Sequence, residues 1–221
     1  KKIVTDDPDV AIPEIYEMGS SAGGRRPKAI VNYDRDEDSI RSGRAEPKER
    51  EIPAILKFDG AETDRSATEL SDPEHYNRVE HAYNKMARDV GITMPEIQPL
   101  EDDGYYHLLI PRFDIQEDGT RLHQHTLGGL LHIDYNNPGA GSYEGYLQSI
   151  LDLGMDYSAL REGYRRMIFN ILSVNQDDHV KNLSFHMDQN GDWSLAPAYD
   201  LTFAYGSGAT RKHQMTVGGK Q

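Results

Sequence analysis

Apolar positions change period along the chain. Ala29-Ile30-Val31, Ile52–Phe58, the pair Ile97 and Leu100, and Tyr105–Ile110 are short runs bounded by Gly, Pro or charged residues, which predicts strands. Asp102-Asp103-Gly104 supplies the turn between the last two. Between Pro73 and Val90 the spacing becomes helical. Tyr76, Val79, Tyr83, Met86, Ala87 and Val90 recur at steps of three and four, and Ser71 or Asp72 can cap the start. Farther on, Ser142 is an N-cap for a helix through Leu153. Tyr157, Leu160, Tyr164, Met167, Ile168, Ile171 and Leu172 predict a buried stripe on the next helix. Leu183–Met187 and Trp193–Leu195 then read as a hairpin across Asp188-Gln189-Asn190-Gly191, where Asn-Gly is the turn signal. Two stretches lack such order. Lys1–Glu17 reads as a loop or edge segment, and Asn32–Arg50, crowded with charge of both signs, as a solvated, mobile excursion between strands.

Candidate chemistry lies between the stripe and the hairpin, in Asn175-Gln176-Asp177-Asp178-His179-Val180-Lys181-Asn182, and continues at Asp200. Phosphoryl transfer from ATP needs a carboxylate to accept a hydroxyl proton, and an amide and a second carboxylate to hold Mg2+ against the phosphates. Asp177, Asn182 and Asp200 form that set, and the step of five from Asp177 to Asn182 is that of the protein-kinase catalytic loop. Asp178 is one residue too close to Asn182 for the base. His179 can support the loop by hydrogen bonding, and Lys181 can meet the γ-phosphate or remain a surface residue. Upstream, the small residues Gly19–Gly24 precede Arg25, Arg26 and Lys28. Such a loop lets backbone N–H groups approach phosphate oxygens. Lys57 near the end of its strand, with Glu80 on the following helix, suits the ion pair that kinases aim at nucleotide phosphates. The glycine-rich segment Phe203–Thr210 suits a mobile activation or substrate segment.

Composition narrows the setting. At 37% hydrophobic and 28% charged, the 221 residues can build a sizeable core as one domain or two. No apolar run approaches the roughly 20 residues of a membrane span, and no signal peptide opens the chain, so a cytoplasmic protein without membrane contact is expected. The absence of cysteine removes disulfides, thiolate catalysis and Cys-based zinc sites. His123, His125, His132 and Asp134 offer metal-ligand types without the spacing or support of a site, so they are read as structural. A net charge of -13 argues against direct DNA binding, which depends on Lys and Arg clusters.

The segment NQDDHVKNLSFHMDQNGDWSLAPAYDLTF, with GSSAGGRRPKA upstream, resembles the C-terminal kinase-like region of the HipA family, serine/threonine-kinase toxins of bacterial toxin–antitoxin modules. The likeness runs from about Gly19 to about Lys220. It implies a two-lobed, protein-kinase-like α+β fold, with a β-rich N-lobe over residues 1–113 and a helical C-lobe over 114–221. It implies ATP and Mg2+ as cofactors, with Asp177 as base, Asn182 and Asp200 as metal ligands, and Lys181 and His179 as further catalytic and nucleotide-binding residues. Ala22, Gly23, Gly24 and Arg25 would cover the phosphates, Lys57 and Glu80 would pair, and the hinge would contact adenine through Phe113 and the backbone of Pro111 and Arg112. A serine of the Gly/Ser loop, Ser20 or Ser21, would be an inactivating autophosphorylation site. Implied partners are a protein substrate such as an aminoacyl-tRNA synthetase and a HipB-like DNA-binding antitoxin. Family members usually carry a small domain before this region and helices after it; Lys1 and the uncapped segment ending at Gln221 read as cut ends, whether of a shortened member or of a longer chain. The same residues would also serve a small-molecule phosphotransferase, or a non-catalytic antitoxin-binding corepressor module.

Overall fold

Alternation of side chains across extended backbone organises the first half of the chain. In the computed structural model, which describes residues 2–3, 28–59, 76–102, 104–206 and 208–221, six strands form one sheet. They are β1 (Lys2–Ile3), β2 (Lys28–Asp34), β3 (Ser39–Ser42), β4 (Glu51–Lys57), β5 (Gln98–Asp102) and β6 (Tyr105–Pro111). Their order is β1-β3-β2-β4-β6-β5, antiparallel except for the β1–β3 pair. Ala29, Val31 and Tyr33 on β2 lie over Ala54 and Leu56 on β4 and Leu109 on β6, and with Ile40, Phe58 and Leu100 they bury one face. The register Lys57↔Leu108 puts Lys57 on the opposite face, which carries Leu108, Ile110 and Ile97. Helix α1 (Tyr76–Asp89) follows, and its start is set on the sheet by Asn77, whose Nδ2 donates to the Tyr106 carbonyl at 3.0 Å.

The chain divides into two compact units, Lys1–His81 with Glu96–Arg112, and Ala82–Pro95 with Phe113–Gln221, so the boundary passes through α1. The second unit contains α2 (Leu127–Leu130), α3 (Tyr143–Asp152) and α4 (Tyr157–Leu172). Each helix has a side-chain N-cap: Thr126, Ser142 and Asp156 accept from the N–H of Gly129, Gly145 and Ala159 at 3.0–3.1 Å. Strands β7 (His123–Thr126), β9 (Ser184–Met187) and β10 (Trp193–Leu195) form an antiparallel sheet in the order β10-β9-β7. A short parallel pair joins β8 (Gly141–Ser142) to β11 (Met215–Thr216). Tyr143, Tyr146, Ile150 and Met167 from the helices pack with Leu127, Val180, Leu183, Phe185 and Met215. No helix among the described residues is long and apolar enough to cross a membrane.

Two expectations from the charge and apolar pattern are corrected. Asn32–Arg50 is not an open excursion: β2 runs on to Asp34, turns through Asp38 and returns as β3. Most of the charged side chains there are exposed, as expected, and Arg41 is the buried exception. Buried Arg41 donates from Nε to Glu51 Oε1 at 2.8 Å and from Nη2 to the Glu46 carbonyl at 3.0 Å. On α4 the buried face is Gly163, Arg166, Met167, Phe169 and Asn170, whereas Tyr157 and Leu172 are 73% and 78% exposed and Tyr164 and Ile171 are also exposed. Apolar spacing fails here because two polar side chains occupy the interior, where each has hydrogen-bond partners. Arg166 donates to Glu162 Oε1 at 3.0 Å and to the Ala196 carbonyl at 2.8 Å, and Asn170 Nδ2 donates to Tyr143 Oη at 2.9 Å.

The Arg41 hydrogen bonds hold the Glu51 carboxyl below its ordinary 4.5. A folded value below the unfolded one stabilises the protein fully above pH 4.5, and that stabilisation is lost as the pH falls through the folded value. Arg41→Ala is therefore expected to lower unfolding free energy by about 2 kcal/mol at pH 7. In urea titrations the gap from wild type should narrow below pH 4; a gap that stays constant with pH would contradict this.

Candidate active site

The C-terminus of α4 sets where the loop begins. Asn175 N–H reaches back to the Asn170 carbonyl at 2.9 Å, and Val174 turns the chain with φ of 58°. A β-branched residue is disfavoured in this left-handed region, so tertiary contacts must hold it. They do so from the segment after Asp200: Ala204 N–H donates to Val174 O at 3.1 Å, and Gln176 N–H donates to Ala204 O at 3.0 Å. Phe203–Thr210, expected as a mobile segment, is thus pinned to the loop at Ala204, and Gly206 N–H closes a turn onto Thr210 O at 3.2 Å.

The two adjacent carboxylates have different environments. Asp178 is 2% exposed and surrounded by donors. Its Oδ2 accepts from Tyr143 Oη at 2.8 Å and lies 3.0 Å from His213 Nδ1, and its Oδ1 accepts the Gln214 N–H at 2.7 Å. Burial beside this carboxylate pushes the Tyr143 hydroxyl well above 10, so it stays protonated and donates. Asp178 therefore fastens the loop to residues 213–215. Asp177 is half-buried, and among the described residues its carboxylate receives one side-chain hydrogen bond, from Gln214 Nε2 to Oδ1 at 2.7 Å. Val180 locks the next turn: it fits against Gly128, where an added Cβ would lie 2.8 Å from Val180 Cγ2, and against Gly141.

Asn182 closes the loop on Asp177. Its Nδ2 donates to the Asp177 carbonyl at 2.9 Å, which leaves Oδ1 as the acceptor end of the amide. Strand β10 stops at Leu195, as expected, and the approach to Asp200 is irregular. Ala196 N–H bonds Ser184 O at 3.1 Å, and Ala198 N–H bonds Thr93 O at 2.8 Å. Tyr199 then ties this approach to the loop, donating from Oη to the Lys181 carbonyl at 2.5 Å, with Ser184 Oγ also 2.5 Å from Oη. Burial pushes its hydroxyl up to about 12. The residue before Asp200 is thus fixed on the residue before Asn182. Asp200 itself has φ of 52°, a conformation that Asp adopts more readily than most residues. Phe113 stacks on Tyr199 with centroids 5.8 Å apart and lies 5.7 Å from His186, whose imidazole is pushed down by burial.

Lys181 is exposed, with Nζ 3.3 Å from the Tyr135 ring centroid, a cation–π contact. His179 meets the edge of the same ring at 5.8 Å, and its Nδ1 is buried without a hydrogen-bond partner among the described residues. In the first unit, Lys57 Nζ lies 2.6 Å from Glu80 Oε1, with both side chains at most 10% exposed. Arg112 N–H donates to Pro53 O at 2.9 Å, which commits this amide to the sheet and leaves the Arg112 carbonyl as its other backbone group. Pro111 ends β6 opposite Ala54. Ser20, Ser21, Ala22, Gly23, Gly24 and Arg25, and the helix caps Ser71 and Asp72, lie outside the described residues. Among the described residues no group of three or more His, Cys, Asp or Glu side chains forms a metal cluster, and His123 instead stacks on His125. Tyr143, Gln214, His213 and Tyr199 carry little local sign of these contacts. Only the position of Tyr199 directly before Asp200 could have singled one out.

The family described as the HipA-like C-terminal domain matches residues 20–221. The chain belongs to this family. A Haemophilus influenzae protein named "Putative kinase" is 30% identical to this HipA-like chain over 172 residues, covering 71% of the chain and 50% of that protein. HipA of Shewanella oneidensis MR-1, solved with HipB and operator DNA, superposes with a TM-score of 0.62 at 21% identity over 83% of the chain and 43% of its own. The Helicobacter pylori proinflammatory kinase CtkA gives 0.53 at 12% identity over 80% and 55%. The fold is therefore kinase-like, and the HipA-like chain spans about half the length of these relatives.

The two carboxylates should separate in stability measurements. Asp178→Asn mismatches several buried donors and is expected to cost about 2–4 kcal/mol. Asp177→Asn is expected to stay within about 1 kcal/mol of wild type. Urea unfolding of both variants checks the contrast, and equal effects would contradict the assignment of Asp178 as the structural partner.

Proposed function

We propose that the chain carries the phosphoryl-transfer chemistry of an ATP- and Mg2+-dependent protein serine/threonine kinase. The observation that carries this reading is the closed Asp177–Asn182 loop, in which one amide is fixed by the backbone of the base. Asp177 accepts the proton of an acceptor hydroxyl as that oxygen bonds to the γ-phosphorus and the bond from phosphorus to the ADP oxygen breaks. The Lys57 ammonium, oriented by Glu80, takes phosphate oxygens. Asn182 Oδ1 and the Asp200 carboxylate are hard oxygen donors that fit Mg2+. When bound there, the ion offsets negative charge on the phosphates. Lys181 and His179 flank the loop as secondary contacts for the transferred group, and Phe113 offers an aromatic face for adenine. With the Arg112 amide committed, the backbone contributes acceptors at Pro111 and Arg112.

Ser20 or Ser21 is the proposed acceptor within the chain, in a loop whose Ala22, Gly23, Gly24 and Arg25 cover the phosphates. The proposed setting is a toxin–antitoxin module. The Shewanella relative is solved with HipB and DNA, and a chain of net charge -13 needs a basic, HipB-like partner to reach DNA.

Incubation with Mg2+ and γ-labelled ATP, followed by mass mapping, tests the reading. Wild type should label serine or threonine, whereas Asp177→Asn should lose about 10²–10⁴-fold in rate while still binding ATP by calorimetry. Lys57→Met should weaken ATP binding itself. Labelling by Asp177→Asn at the wild-type rate would remove Asp177 from its role, and phosphate transferred only to small molecules would assign a different acceptor class.

A further inference from the structure

Gln214 belongs to no stretch that carries the kinase motifs, lies 37 residues after Asp177, and is 7% exposed. It is nevertheless the side chain that contacts the base. Three hydrogen bonds define its position. Its N–H donates to Asp178 Oδ1 at 2.7 Å, its carbonyl accepts the Gly139 N–H at 2.8 Å, and its Nε2 donates to Asp177 Oδ1 at 2.7 Å. The two backbone bonds and the β8–β11 pairing of Met215 with Gly141 leave the side chain little freedom. The atom facing a carboxylate oxygen must be the amide nitrogen, since the amide oxygen would be repelled.

A carboxylate on a flexible χ2 presents either oxygen in many directions, and a base is effective when one oxygen is held toward the hydroxyl proton. The Asp177 backbone is fixed by Asn182 Nδ2 on its carbonyl, but that contact leaves the carboxylate free to rotate. Gln214 Nε2 removes this rotation by occupying Oδ1, which leaves Oδ2 for the acceptor. We propose that Gln214 is the positioning residue of the catalytic base, linking the buried Asp178 to the orientation of the Asp177 carboxylate. This inference rests on the kinase reading of Asp177. It predicts an effect on turnover rather than on nucleotide binding, because Gln214 contacts the base.

The test uses the full chain with Mg2+ and γ-labelled ATP, measuring the single-turnover labelling rate, the KM for ATP and the thermal midpoint for wild type, Asp177→Asn, Gln214→Met and Gln214→Glu. Methionine keeps the length and removes the donor; glutamate keeps the shape and places an acceptor against Asp177. Gln214→Met should turn over about 10- to 100-fold more slowly, and Gln214→Glu more slowly still, with the KM for ATP within about twofold of wild type. Labelling that is lost in Asp177→Asn but runs at the wild-type rate in both folded Gln214 variants would overturn the positioning role and leave the kinase reading intact. Loss of rate matched by an equal rise in KM would also overturn it, as a general structural defect. No labelling by wild type would remove the kinase reading, and the inference with it.

Discussion

A carboxylate that is nearly without solvent contact must be matched by donors, and Asp178 is the group on which this requirement falls most heavily. Its donors come from two places in the chain: Tyr143 on α3, and His213 with the backbone of Gln214. None of these is local to the loop, so the loop reaches its observed form only when α3 and the segment around 213–215 are in place. Asn170 extends the same network from α4, donating to Tyr143 Oη and accepting from Asn175 Nδ2. Asp177 is released by this arrangement: its neighbour satisfies the structural demand, and its own carboxylate keeps one fixed contact.

The first unit contains a second charged pair with the same character. Lys57 and Glu80 are both nearly buried at 2.6 Å, and removing either would leave an uncompensated charge. Such a pair is weak grounds for stability but effective at fixing an ammonium in one orientation.

Much of this was legible from local signals. Ser142 caps α3 because a hydroxyl can satisfy an orphan N–H there, and Asp188–Gly191 turns the β9–β10 hairpin through Gly191 at φ of 87°. The step of five to Asn182 separates Asp177 from Asp178 in the sequence, and in the fold the two differ in burial, with Asp178 2% exposed. What failed depended on partners distant in sequence. Arg41 and Arg166 look like surface residues until Glu51 and Ala196 are brought to them, and the predicted stripe on α4 is largely exposed because Arg166 and Asn170 take the interior. Gln214 carries no local signal, since nothing near it in the chain indicates that its amide meets Asp177.

If Asp178 joins the loop to the 213–215 segment as one cooperative element, their amides must open together. Native-state hydrogen exchange in a series of urea concentrations measures this directly, through the N–H of Gln214 on Asp178, of Gly128 on Val180 O and of Leu127 on Leu183 O. A common opening free energy and a common urea dependence for the three is the expected result. Free exchange at Gln214, while Gly128 and Leu127 stay protected to global unfolding, would contradict it and reduce Asp178 to a local contact.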